Sequence, residues 1–263
     1  MKLDRIFIGY DAREAEMYKV CEDSIKRNCP LIHKPIIMPL IQEELRGAGI
    51  YWRAHDEMAA TAFSNTRFLT PYLSDYNGWS LFMDCDMLIT ADIQEIMEYA
   101  DNKYAVCVVK HDYTPKKTVK MDGCVQKALP RKNWSSVMLF NCGHPSTKNL
   151  TPDFISTVNA GILHRFEWCK DEEIGELPIE WNWLEGEYEK PDKLPKNIHY
   201  TNGHFFLGNK TEYEQELIEA TAISQWDREL DRIGNVLLTP TFEECLARIN
   251  EKYGVALKAL GND

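Results

Sequence analysis

A chain of 263 residues with 44% hydrophobic and 27% charged side chains has enough apolar surface for one substantial core, which excludes long disorder, collagen-like sequence and repeat arrays. Its formal net charge of −11 opposes nucleic acid over most of the surface, and no Lys/Arg cluster is dense enough to reverse that locally or to hold a membrane surface. No apolar run approaches the ~20 residues that span a bilayer, so no integral membrane segment is expected.

In chain order, RIFIG at 5–9 is a short apolar run ending in glycine, and Ala15, Tyr18, Cys21 and Ile25 then recur at helical spacing. Strand, loop and helix therefore open the chain, with no leader pattern ahead of them. KPIIMPL at 34–40 reads as a strand whose prolines suit an edge position or a short strand. Phe63, Arg67 and Phe68 lie on a helix in FSNTRFLTPYLSDY, with Pro71 marking a break. GWSLFMDCDMLIT runs an apolar strand straight into two acids and on into a second apolar stretch. ADIQEIMEYA is a short helix; YAVCVVK at 104–110 and SSVMLFN at 135–141 are strands. The basic segment Lys116, Lys117, Lys120, Lys127, Arg131 and Lys132 reads either as a solvated loop or as one that meets phosphate. Beyond 151 the pattern loosens: Trp168, Trp181 and Trp183 fall in loops or short helices, Trp183 being the better core candidate, and NIHYTNGHFF supplies a late strand and turn. The tail carries a helix near 211–233 and a second one opened by Thr241 as N-cap. Eight cysteines, at 21, 29, 85, 107, 124, 142, 169 and 245, show no CxxC spacing, which argues against structural zinc or a redox pair and for reduced thiols in the cytoplasm.

Strands alternating with helices predict a mostly parallel sheet covered on both faces. Ligands of such sheets bind beyond the C-terminal strand ends, where Asp11, Asp84, Asp86, His111 and Asn141 are expected. Asp84 and Asp86 are the most informative residues. As a strand ends, carboxylates one residue apart leave the sheet toward one small volume, and their repulsion calls for a divalent cation or a proton. Mg²⁺ or Mn²⁺ would take its remaining oxygens from water and a diphosphate. The plainer reading is a turn in which Asp84 caps Met87 and Asp86 is solvated.

The blocks IFIGYDAREAEMYKVCEDSI, SNTRFLTPYL, GWSLFMDCDMLI, VMLFNCG, LPIEWNWL and IHYTNG resemble, in order and spacing, the glycosyltransferase A fold of the glycogenin and lipopolysaccharide galactosyltransferase group. VVKHDYTPKKTVKMDG and PRKNWSSVMLFNC more closely resemble a set of bacterial and viral glycosyltransferase-like proteins. The resemblance covers residues 4–207. It implies a single Rossmann-like α/β domain with a mostly parallel mixed sheet at 1–210, and a helical C-terminal extension at 211–263 packed on it.

Residue by residue, the resemblance puts Gly9, Tyr10 and Asp11 at the base and ribose and Arg67 at the diphosphate or donor sugar. Asp84 and Asp86 match the metal pair, with His199 as third ligand; Cys85, Gly203 and His204 complete the expected donor-binding set. Asn141 to Gly143 match a segment touching the donor sugar, and Asp171, Glu172 and Glu173 an acidic segment lining the sugar and acceptor side. The expected catalytic residues are thus Asp171, Glu172 and Asn141. One departure stands out: Gly203 is followed by His204, Phe205 and Phe206 where the group has lysine, proline and tryptophan. His204 or Lys210 would replace that lysine on the diphosphate, or Arg67 and the metal would hold it alone.

The expected function is metal-dependent transfer of a sugar from a nucleotide-sugar, UDP-sugars favoured, to an unidentified glycan, lipid-linked or protein acceptor, with retention of configuration. A sugar-phosphate nucleotidyltransferase also places acids and a metal at strand ends, but GYDAREAEM lacks the glycine-rich basic loop such enzymes carry. A non-catalytic nucleotide-sugar-binding protein is the third reading. Taken singly, His199 is a structural or surface histidine, Tyr10 packs under the first helix and Lys110 and His111 end a strand.

Overall fold

A computed structural model describes residues 1–30, 34–54, 60–112, 131–189, 191 and 193–201. Its strands and α-helices in chain order are β1 (Leu3–Tyr10), α1 (Ala15–Asn28), β2 (Ile36–Ile41), α2 (Gln42–Gly47), α3 (Thr70–Leu73), β3 (Trp79–Met83), β4 (Met87–Ile89), β5 (Val106–Val108), β6 (Val137–Asn141), α4 (Pro152–Thr157), α5 (Ala160–His164), β7 (Ile174–Glu176), β8 (Trp183–Leu184) and β9 (Asn197–His199). The tail helices, the 211–263 extension, most of the basic segment and Gly203, His204 and Lys210 lie outside the described residues.

Six strands form the main sheet in the order β2-β1-β3-β6-β5-β7, and β4-β9-β8 form a smaller one. The main sheet is mostly parallel: β1 pairs in parallel with β2 and β3, and β5 with β7, while β6 runs antiparallel to both β3 and β5. The run WSLFM of β3 is buried at all five positions, as a central strand covered on both faces requires. Pro39 costs β2 little because β2 is the edge. Pro71 sits in the first turn of α3, where its missing N–H is harmless, and joins a 3-10 turn at Thr66–Leu69 to the helix rather than breaking one. ADIQEIMEYA likewise folds as a 3-10 helix over Ile93–Tyr99, and Trp183 is buried in β8. No helix of the described residues is long and apolar enough to cross a membrane.

Strand direction sets where three of the expected site residues lie. β6 is reversed, with Val137 paired to Met83 and Asn141 to Trp79, so Asn141 lies at the N-terminal edge of β3, about 16 Å of strand from the acidic pair. Its amide bonds the Tyr104 and Asn102 carbonyls there, at 3.2 and 3.4 Å. Asp171 and Glu172 belong to a 3-10 turn just ahead of β7. Because β7 is parallel to β5, that turn also lies at the N-terminal edge. Asp171 is largely exposed and pairs with Arg131 at 2.6 Å. The resemblance had placed Asn141, Asp171 and Glu172 around the sugar; the sheet puts all three on the opposite side from Asp84.

Candidate functional site

The two aspartates occupy the junction of the two sheets. Asp84 N–H donates to the Ser136 carbonyl at 3.0 Å, prolonging the β3–β6 ladder, and the Asp86 carbonyl accepts from Tyr200 N–H at 2.9 Å, prolonging β4–β9. In the bend that joins β3 to β4, Cys85 turns inward, 1% exposed, while Asp84 and Asp86 on either side of it are more exposed and converge. His199 stands opposite Met87 in the β4–β9 register. Its Nε2 lies 3.2 Å from Asp86 Oδ1, and ligand atoms of Asp84, Asp86 and His199 all fall within 4.8 Å of one another. Two carboxylates and an imidazole converging at that spacing suit a divalent cation in charge, ligand type and reach. His199, 3% exposed, is no surface histidine.

Arg67 is buried behind Asp84. Its Nη1 lies 2.9 Å from Asp84 Oδ1 and 2.8 Å from the Ser135 carbonyl, and its guanidinium rests over the rings of Phe82 (4.9 Å) and Phe63 (5.4 Å). The turn and 3-10 segment that carry Phe63, Arg67 and Phe68, where the sequence pattern predicts a helix, therefore place an arginine beside the first aspartate. Asp11 is committed internally: Arg13 N–H and Nε bond its Oδ1, and Arg13 Nη2 and Ala62 N–H its Oδ2, all within 3.1 Å. Those donors hold its carboxyl below the usual carboxylate range even though burial opposes them. Gly9 faces Phe63: a Cβ there would stand 2.4 to 2.7 Å from ring atoms. Tyr10 packs edge-on against Tyr18 of α1, centroids 5.5 Å apart. Local packing and hydrogen bonding thus account for the Gly9–Asp11 segment.

Two neighbours escaped the sequence reading. Glu14, in the turn after β1, accepts a hydrogen bond from the Cys85 thiol at 3.2 Å. Burial first, then the Asp86 charge, push its carboxyl up to about 7, so it holds a proton more readily than an ordinary carboxylate and adds less to the anionic field. Its signal was available, an acid three places after Asp11 at a strand end, but it sat inside a helical pattern. Asn182, fully buried, shares a 2.8 Å hydrogen bond between its Oδ1 and His199 Nδ1 and donates from Nδ2 to Ser136 Oγ, also at 2.8 Å. A lone Asn in LPIEWNW carries no sequence signal of its own. His111, after β5, reaches the same end of the sheet and shares a 2.7 Å hydrogen bond with the Tyr188 hydroxyl. Burial, helped by the nearby His199 charge, pushes its imidazole down to about 3, so it is neutral at physiological pH.

No protein-family model matches the chain. Protein CDI of Arabidopsis thaliana is 52% identical over 204 residues, spanning 76% of this chain and 78% of that protein. Among solved structures, the apo WbbM bifunctional glycosyltransferase superposes with a TM-score of 0.52 at 17% identity over 82% of this chain, which itself spans only 51% of WbbM. GlyE of Streptococcus pneumoniae TIGR4 matches with a TM-score of 0.47 at 14% identity, over 76% of this chain and 55% of its own. At such identities the likeness speaks for the fold alone. With its mixed sheet, its acidic pair at the ligand edge and its close plant relative, the chain has a glycosyltransferase A fold and belongs to the family of Arabidopsis thaliana protein CDI.

Proposed function

We propose that the protein is a metal-dependent glycosyltransferase that moves a sugar from a nucleotide-sugar, with UDP-sugars the favoured donors, to an acceptor hydroxyl with retention of configuration. The observation that carries this reading is the convergence of Asp84, Asp86 and His199 at the C-terminal edge of the main sheet, the edge where α/β folds take nucleotides. Those three residues would hold Mn²⁺ or Mg²⁺, which when bound supplies positive charge to a departing diphosphate.

The chain's own residues supply position. Arg67 fixes the Asp84 carboxylate through one guanidinium nitrogen while the Phe63 and Phe82 faces prevent it from swinging away. That leaves Asp84 preorganised, so little reorganisation opposes charge development. Arg67 is thereby already engaged with a carboxylate and a carbonyl, which favours indirect support of the diphosphate over a direct grip. His111 and Tyr188 form a neutral hydrogen-bonded wall beside His199, suited to sugar hydroxyls rather than to phosphate. The free thiols of the described cysteines support a cytoplasmic setting.

The test is a thermal-shift panel of UDP-, GDP- and ADP-sugars with and without Mn²⁺, since a ligand that binds only the folded state raises the midpoint by mass action. A metal-dependent shift with UDP-sugars, lost in Asp86→Ala, together with slow metal-dependent hydrolysis of the same donor, is the expected result. Binding without hydrolysis makes the protein a nucleotide-sugar binder. Diphosphate release from a nucleoside triphosphate makes it a nucleotidyltransferase.

A further inference from the structure

The hydrogen bonds around Asn182 leave only one arrangement of protons. The Asn133 carbonyl can only accept, and it receives Ser136 Oγ at 2.7 Å and Asn182 Nδ2 at 3.4 Å. With the Ser136 hydroxyl proton directed at that carbonyl, Ser136 Oγ must accept from Asn182 Nδ2 at 2.8 Å. The Asn182 amide is therefore fixed against a flip, because an oxygen in place of Nδ2 would meet the lone pairs of both groups. Its Oδ1 then faces His199 Nδ1 at 2.8 Å and can only accept. The proton of the neutral imidazole must sit on Nδ1, and the lone pair of Nε2 is aimed at the aspartates.

The other tautomer closes the site on itself. With a proton on Nε2, an N–H instead of a lone pair would face Asp86 Oδ1, 3.2 Å away, and the ring would have no electron pair to offer a cation. Which nitrogen of a ligating histidine carries the proton is set by the partner of the other one. Ser136 serves both halves of the cluster, since its carbonyl also receives Asp84 N–H at 3.0 Å.

We propose that Asn182, anchored by Ser136 and the Asn133 carbonyl, is a positioning residue that locks His199 in the Nδ1–H tautomer and so presents Nε2 as the third ligand atom of the Asp84–Asp86 site. This rests on the metal reading above for its purpose and on the hydrogen bonds alone for its geometry. The tautomer is read directly from long-range ¹H–¹⁵N correlations of metal-free, ¹⁵N-histidine-labelled protein at pH 8, with His199 assigned by the signal missing from His199→Gln. The wild type should show a protonated Nδ1 and a lone-pair Nε2. In Asn182→Leu the proton should move to Nε2, and the Mn²⁺ Kd, measured by electron paramagnetic resonance titration, should weaken 10–100-fold; Ser136→Ala should give a smaller change of the same sign. An Nε2–H tautomer in the wild type would overturn the proposal even if no variant folds, and so would an unchanged tautomer in a folded Asn182→Leu. A wild type with the Nδ1–H tautomer that binds no Mn²⁺ upholds the lock and removes the metal reading instead.

Discussion

Gly9 shows how a residue can be legible as important and illegible in its reason. The resemblance marks it as a donor contact; the structure gives it a close neighbour as well, the Phe63 ring, which would stand 2.4 to 2.7 Å from any Cβ. Phe63 has nowhere to retreat, being 1% exposed, tilted against Phe82 with centroids 6.3 Å apart and covered by the Arg67 guanidinium. Gly9→Ala is therefore an overpacking change and should cost about 1–3 kcal/mol in urea unfolding. Phe63→Leu in the same chain should recover most of that loss. If Gly9→Ala unfolds like the wild type yet loses nucleotide-sugar affinity, the glycine serves the ligand and the packing account fails. Asp84 and Asp86 were legible for the opposite reason. Two carboxylates one residue apart directly after an apolar strand mark a strand end, and the bend between β3 and β4 is where the structure brings them together.

At the level of strands, what could be read was local and what could not was relational. β1, β3, β5 and β6 each announce themselves as apolar runs, and the prolines of KPIIMPL correctly mark an edge. Nothing within VMLFN says which way it runs beside its neighbours, since a central strand buried on both faces reads the same in either direction. The reversal of β6 is what carried Asn141 away from the site, and the placement of Asp171 and Glu172 ahead of β7 instead of after it has the same consequence. A charge that far from the acidic pair, on exposed surface, is screened at physiological ionic strength. Asn141→Ala, Asp171→Ala and Glu172→Ala should therefore leave Mn²⁺ affinity within about twofold of wild type. Asp86→Ala, which would remove a proposed ligand outright, should lose at least the 10–100-fold that a supporting residue is worth. Calorimetric titration of the four variants decides it, and a tenfold loss in any of the first three would mean that the far edge reaches the site after all.

Across the whole molecule, composition foretold an acidic surface but not the buried imidazoles that make the fold sensitive to acid. His164 of α5 shares a 2.9 Å hydrogen bond with Ser135 Oγ, lies edge-on to Phe68 at 5.2 Å, and is pushed down to about 3 by burial and by the charge of Arg67. His111 is pushed down to about 3 as well, chiefly by burial. A basic group whose folded pKa lies below its unfolded value, near 6.5, is neutral in the fold and takes a proton on unfolding. The unfolded chain then binds more protons between pH 6.5 and 3, so stability is fully present above that window and declines as pH falls through it. At pH 5 the linkage amounts to about 2 kcal/mol for each histidine. Urea unfolding of the metal-free protein at pH 7.5 and pH 5 should show this decline, over and above what exposed carboxylates add. His164→Asn keeps a polar partner for Ser135 and removes the titrating ring. It should start from lower stability at pH 7.5, because packing against Phe68 is lost, yet fall by about 2 kcal/mol less than the wild type on going to pH 5. Parallel declines in the two proteins would show that His164 is charged in the folded state, contrary to its setting beside Arg67.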